Sequence, residues 1–158
     1  MLRVWLKKIF LVFILALLMR GCVLETARNP DDVMAPSLQA GDITLVWKLS
    51  YGIRIPGSGA ILWDWGNIHR GDIVVVSDVG DPPRSFIRRV AAIPGDLVLL
   101  PEVKGPTKLK EGEYFLEASE QNDKVIDSRQ LGAISRRAII GKVTHVWHPS
   151  TSQLRRVE

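Results

Sequence analysis

The chain has 158 residues, room for one domain or for one domain with an anchor. Hydrophobic residues at 46 % and charged residues at 24 % exclude a disordered chain, and a single cysteine excludes an internal disulfide framework and C-x-x-C zinc or redox motifs. The formal charge of +4 sits in residues 1–24, where Arg3, Lys7, Lys8 and Arg20 have no acid beside them. The other 17 of the 21 basic residues balance 17 acidic ones, so the body lacks the basic surface that a nucleic-acid partner requires.

The N-terminal segment runs MLRVWLKK, then the apolar stretch Ile9–Met19, then RGCVL. A basic leader before an uninterrupted apolar run is the pattern of a secretory signal or signal anchor. Eleven helical residues cover about 16 Å against a hydrocarbon core of about 30 Å. A spanning helix must therefore draw in flanking residues, with Lys7, Lys8 or Arg20 snorkelling. We read residues 1–24 as an uncleaved signal anchor; a lipoprotein signal modified at Cys22 and a buried core helix are the competing readings. The positive flank places the N-terminus in the cytoplasm and residues 25–158 on the far side, as one exported domain.

From Ile43 onward the chain reads as strands: DITLVWK, DIVVVSD, SFIRRVAAI, DLVLL, EYFL and IIGKVTHVW. Gly-Asp precedes an apolar run three times, at Gly41-Asp42, Gly71-Asp72 and Gly95-Asp96. Glycine supplies the positive φ of a tight turn, and aspartate can bond nearby backbone. No stretch of the body keeps a 3.6-residue period over more than two turns, which predicts a mainly antiparallel β domain. Ser50–Arg70 and Pro101–Gly112 read as long connections. Trp63 and Trp65, in the first of them, suit either core packing or a membrane interface.

Four segments, in order, resemble motifs of signal peptidase I, the membrane-anchored Ser/Lys endopeptidase family. Val33-Met34-Ala35-Pro36-Ser37-Leu38-Gln39-Ala40-Gly41-Asp42 is similar to S-M-x-P-[TS]-L-x-x-G-D, and Arg70-Gly71-Asp72-Ile73-Val74-Val75-Val76 to R-G-D-[IV]-V-V-F. Phe86-Ile87-Arg88-Arg89-Val90, ending at Pro94-Gly95-Asp96, resembles Y-I-K-R-V-x-G-x-P-G-D. Val125-Ile126-Asp127-Ser128-Arg129 lies close to S-x-D-S-R. The resemblance spans residues 33–147 and implies a barrel-like antiparallel fold with one N-terminal anchor helix.

At the positions that carry the family's chemistry the residues differ. Val33 stands where the resemblance places the nucleophilic serine, and a valine side chain has no atom that can attack a carbonyl. Arg88 stands at the general-base lysine, and a guanidinium does not give up its proton. Val125 replaces the serine that supports the base, and Asp31 occupies the oxyanion side, where a carboxylate repels developing charge. Asp127, Ser128 and Arg129 are retained, with a structural brace as their expected work.

No substitute centre is evident. Ser37 belongs to the framework, Lys48 ends a strand as a solvated residue, and His69, His145 and His148 lack triad or metal-ligand spacing. Neither a metal nor a cofactor is expected. The resemblance thus implies a membrane protein that has lost the Ser/Lys dyad. Such a chain binds an exported polypeptide, a signal peptide, a pilin-like segment or an active paralogous peptidase without cleaving it. The alternative is an active signal peptidase I-type serine endopeptidase. Either is expected in the bacterial cytoplasmic membrane, the segment Tyr51–Pro56 favouring bacteria over the mitochondrial inner membrane with its body in the intermembrane space.

Overall fold

The computed structural model describes residues 2–29, 32–55, 60–77, 85–120 and 125–157. Helix α1 (Leu2–Val23) leads directly into strand β1 (Leu24–Arg28). Then follow β2 (Ile43–Trp47), β3 (Ile53–Arg54), β4 (Ile61–Trp63), β5 (Ile73–Ser77), β6 (Ser85–Ala92), β7 (Leu97–Leu99), β8 (Pro106–Lys108) and β9 (Glu113–Glu117). A one-turn helix α2 (Ser128–Leu131) precedes β10 (Ile134–Ser135), β11 (Ile139–His148) and β12 (Gln153–Arg156). Among the described residues, eight strands form one antiparallel sheet in the order β1-β2-β11-β5-β6-β9-β10, with β12 also on β11. The predicted mainly antiparallel β class is the one found.

The centre of the sheet follows from its most apolar run. Ile73, Val74, Val75 and Val76 of β5 lie between β11 and β6, and all four are buried. A strand covered on both faces needs such an unbroken run, because successive side chains point to opposite sides. Ile73 and Val75 enter a cluster with Met34, Leu38, Ile87 and Val143. Val74 and Val76 enter a second one with Tyr51, Val90, Leu116 and Ile139. Each fully buried side chain of this size contributes about 1.5–3 kcal/mol. A smaller cluster, Ala92, Leu109 and Phe115, lies beneath the β7–β8 hairpin.

Three of the four Gly-Asp dipeptides, those that precede apolar runs, build the same device; the fourth, Gly80-Asp81, lies outside the described residues. Gly41, Gly71 and Gly95 have φ of 87°, 89° and 96°. Each is the third residue of a turn closed by the aspartate N–H on the carbonyl of Gln39, His69 or Ile93. A turn of this hydrogen-bonding pattern with positive φ at its third residue is where glycine fits best. The aspartate side chain then accepts the N–H of the turn's first residue, at 2.8, 3.1 and 2.8 Å. The Gly N–H and Asp carbonyl together clasp one residue of a neighbouring segment: Asn29, Val90 and Leu109 respectively.

Several local expectations are corrected. The 50–70 connection contains the β3–β4 hairpin, and 101–112 contains β8 paired with β7. Trp63 and Trp65 are 69 % and 51 % exposed, so core packing does not hold them. Lys48 is paired with Glu25 at 2.7 Å and is mostly shielded from water. No helix among the described residues is long and apolar enough to cross a membrane. Helix α1, although 22 residues long, has Arg3, Lys7, Lys8 and Arg20 in its sequence. Pro56, at the end of the segment used to favour bacteria, lies outside the described residues.

Candidate functional site

The segment between β1 and β2 is pinned to the core by Met34 and Leu38, both completely buried. Asp32 holds it locally, its carbonyl accepting the Ala35 N–H at 2.8 Å and its carboxylate the Ala40 N–H at 2.6 Å. Pro36 follows a cis peptide bond in this segment. Val33, half-buried, packs on the cluster that contains Met34, Ile87 and Val125. Its carbonyl accepts the Glu120 N–H at 2.9 Å. Asp31 lies outside the described residues.

On β6, alternation puts Phe86, Arg88 and Val90 on one face and Ile87 and Arg89 on the other. Arg88 is only 5 % exposed. Its guanidinium lies 5.0 Å from the Phe86 ring centre and donates to the carbonyls of Ile126, at 2.9 Å, and Ile87, at 2.6 Å. Arg89 donates instead to Ser37 Oγ at 2.9 Å and the Gly71 carbonyl at 3.0 Å. Ser37 thus acts as an acceptor that ties its segment to β6.

Residues 117–120 and 125–129 join these positions. Glu120 meets Val33, Val125 packs in the Val33 cluster, and the Ile126 carbonyl receives Arg88. Asp127 then caps α2 through the Arg129 N–H at 2.9 Å, accepts the Ala118 N–H at 3.1 Å and pairs with the Arg129 guanidinium. Burial alone would raise the Asp127 carboxyl, but these donors outweigh it and hold it below the usual carboxylate value. Ser128 Oγ, fully buried, accepts the Leu116 N–H at 2.8 Å, which fixes α2 against β9. Asp127, Ser128 and Arg129 are all engaged in holding backbone, at Ala118, Leu116 and Glu120 respectively.

The remaining framework positions are structural in geometry. Asp42 contacts His148 Nδ1, and Asp96 pairs with Arg70 through both carboxylate oxygens. Pro94 and Gly95 are the middle residues of the turn ahead of Asp96. His145 Nδ1 lies 3.2 Å from Thr144 Oγ1. Among the described residues, no three His, Cys, Asp or Glu side chains are placed to hold a metal.

Sequence reasoning named Asp72 for its turn but missed its partners. Tyr51 OH donates to Asp72 Oδ2 at 2.7 Å, and Lys142 Nζ donates to Oδ1 at 2.6 Å. Burial first, and then the bonded carboxylate, push the Tyr51 phenol far above its ordinary value. Burial would raise Asp72, but the Lys142, Tyr51 and His69 donors hold it below the carboxylate range. Arg136 seals this network, donating to the Tyr51 carbonyl at 2.6 Å and pairing with Asp64 at 3.1 Å. These partners lie 21 and 70 residues from Asp72, and no local spacing signals them.

Residues 2–102 match the family described as signal peptidase, peptidase S26. Signal peptidase I of Pseudomonas fluorescens is 38 % identical over 92 residues, covering 58 % of this chain and 32 % of that protein. A probable signal peptidase I-1 of Synechocystis is 34 % identical over 119 residues, covering 72 % of this chain and 57 % of that protein. Mitochondrial inner membrane protease subunit 2 of Saccharomyces cerevisiae is 29 % identical over 134 residues, 83 % of this chain and 67 % of that one. The matched regions thus span about a third of the Pseudomonas relatives' length. With its motifs set in an antiparallel sheet and its match covering more than half of its length, the chain belongs to the signal peptidase S26 family.

Proposed function

We propose that this chain acts on signal-peptide-bearing polypeptides in the removal of signal peptides from exported proteins. The family match over residues 2–102 carries this reading, together with relatives named signal peptidase I. An extended polypeptide would lie beside a sheet edge near Val33, where backbone bonds give affinity and small alternate pockets give preference for Ala-like side chains. The test is incubation of the full chain, in detergent, with a pre-protein carrying an Ala-x-Ala cleavage site. A mature N-terminus found by mass spectrometry supports cleavage, and an uncut pre-protein overturns it.

One specific observation favours a second reading, in which the same polypeptide is bound and left intact. Val33 and Val125 are spent on apolar packing, and Arg88 is buried with its guanidinium on two carbonyls. Attack on a carbonyl needs an activated nucleophile, and neither these side chains nor a guanidinium base supplies one. A photocrosslink between the signal peptide and residues around Val33, without product, supports this reading. A product accompanied by covalent labelling from a serine-reactive acyl probe overturns it.

The segment 1–24 is proposed to anchor the body, residues 25–158, as a single-pass protein of the bacterial cytoplasmic membrane with its body outside. Helix α1 is not apolar enough to cross unaided, so this reading has Lys7 and Lys8 snorkel; it is supported by the apolar side chains of Trp5, Leu6 and Ile9–Phe13, which are 55–67 % exposed. Alkaline carbonate extraction of membranes tests it: retention in the pellet supports the anchor, and release into the supernatant overturns it.

A further inference from the structure

The β3–β4 hairpin is amphipathic in the inverse sense. Its charged side chains are engaged with the protein. Arg54 donates to the carbonyls of Arg137, at 2.7 Å, and Arg136, at 3.0 Å, and Asp64, just past β4, pairs with Arg136 at 3.1 Å. Its apolar side chains face water instead. Ile53 and Trp63, direct cross-strand partners, are 38 % and 69 % exposed, and the neighbouring Leu62 and Trp65 are 65 % and 51 % exposed. Single exposed apolar residues are ordinary, but a group of large ones on one small element marks an interaction surface.

The exposure is held in place from below. A Cβ at Gly52 would lie 2.2 Å from the Trp63 carbonyl oxygen, and one at Gly66 would lie 2.2 Å from Tyr51 Cα. The base of the hairpin therefore closes at an approach that only glycine permits. Tyr51, at that base, is buried, and its carbonyl accepts from Arg136 at 2.6 Å. Arg136 thus holds both the base and Asp64, so turning the tryptophans inward would break these bonds.

The position of the hairpin says what covers it. Leu24, the first residue after α1, pairs with Trp47. The 3₁₀ turn Lys48–Ser50 comes next, lies beside the α1 backbone and leads through Tyr51 into β3. From Trp47 to Ile53 the chain can reach no more than about 22 Å, so β3 starts near the root of α1. Indole joins an apolar ring to one N–H donor, which suits the boundary between acyl chains and headgroups.

We propose that Ile53, Leu62, Trp63 and Trp65 of the β3–β4 hairpin seat in the interfacial zone of the lipid bilayer beside α1. The choice of a bilayer as occupant rests on the anchor reading of α1. The test uses the full chain with Cys22→Ser and Leu62→Cys, labelled at residue 62 with nitrobenzoxadiazole and reconstituted in phosphatidylcholine nanodiscs. Lipid brominated close to the headgroup should quench the label, and iodide in the buffer should not. Trp63→Ser and Trp65→Ser, singly and together, should reduce the bromine quenching stepwise at an unchanged melting midpoint. Absence of bromine quenching would overturn the proposal, and so would quenching that persists in the double serine variant. Protection from both quenchers would mean a protein cover and overturn it too, as would a loss of quenching that only follows a lowered midpoint. Carbonate extraction scores the anchor separately. Retention without quenching counts against the hairpin contact alone, release with quenching intact against the anchor alone, and release without quenching against both.

Discussion

Arg88 Nε donates to the carbonyl of Ile126 at 2.9 Å, which ties the middle of β6 to the segment entering the Asp127 cap. The residue before that carbonyl, Val125, shares a cluster with Val33. Positions 33, 88 and 125 thus converge on one short stretch of chain, although the contacts there are a strut and a packed patch.

Replacing Arg88 with methionine keeps much of its bulk but leaves the Ile126 and Ile87 carbonyls without these donors. Losing charge-assisted bonds at a buried site is expected to cost about 2–4 kcal/mol, read as a lower midpoint in urea denaturation. Arg88→Lys should recover only part of this, because one ammonium does not reproduce the guanidinium fork.

Gly71 tests the turn device by itself. A Cβ there would meet no atom within 4 Å, so an alanine costs only the positive φ of 89°. Gly71→Ala should destabilise by about 1–2 kcal/mol, and Gly71→Asn by less, since asparagine tolerates the left-handed region better. Thermal melts of the two variants check the order. Gly141→Ala should be worse than either, because its Cβ would lie 2.8 Å from the Trp47 carbonyl oxygen, where β11 passes β2.

The same residues explain what the sequence made legible. The run Ile73–Val76 announces a strand buried on both faces, and Gly-Asp announces a turn, because both signals are local. Strands β1 (LETAR) and β12 (QLRR) carry no alternating apolar pattern and exist through pairing with β2 and β11. Lys48 reads as solvated until β1 brings Glu25 beside it. At the site, the identities at 33, 88 and 125 are plain from the chain. That Arg88 bonds Ile126 is not, since 38 residues separate them and only the folded sheet sets their distance.

Asp72 supplies a pH test. Its folded carboxyl lies below its ordinary value because the Lys142, Tyr51 and His69 donors outweigh burial. The unfolded chain, with a carboxyl near pKa 3.9, therefore binds the proton more readily as acid is added. The resulting stabilisation is complete above that value and is lost as pH falls through the depressed folded one. Asp72→Asn should lower stability by about 1–3 kcal/mol at neutral pH, and its difference from the parent should shrink steadily below about pH 4. Urea denaturation at a series of pH values measures both limbs. A difference that stays constant into strong acid would contradict the assigned ion pair.

The last prediction concerns the chemistry at position 33. Val33→Ser alone is expected to leave cleavage of an Ala-x-Ala pre-protein at the parent level, whatever that level is. A new hydroxyl there still needs a proton acceptor, and Arg88 is a permanent cation already donating to two carbonyls. Arg88→Lys alone likewise creates a base without a nucleophile. Only the combination Val33→Ser, Arg88→Lys and Val125→Ser would supply a hydroxyl, an amine and a supporting hydroxyl from three segments, two of which already bond Glu120 and Ile126. That triple variant is expected to acquire labelling by a serine-reactive acyl probe, with the label mapped to residue 33 by mass spectrometry. Labelling of Val33→Ser with Arg88 intact would show that a base other than residue 88 serves the site.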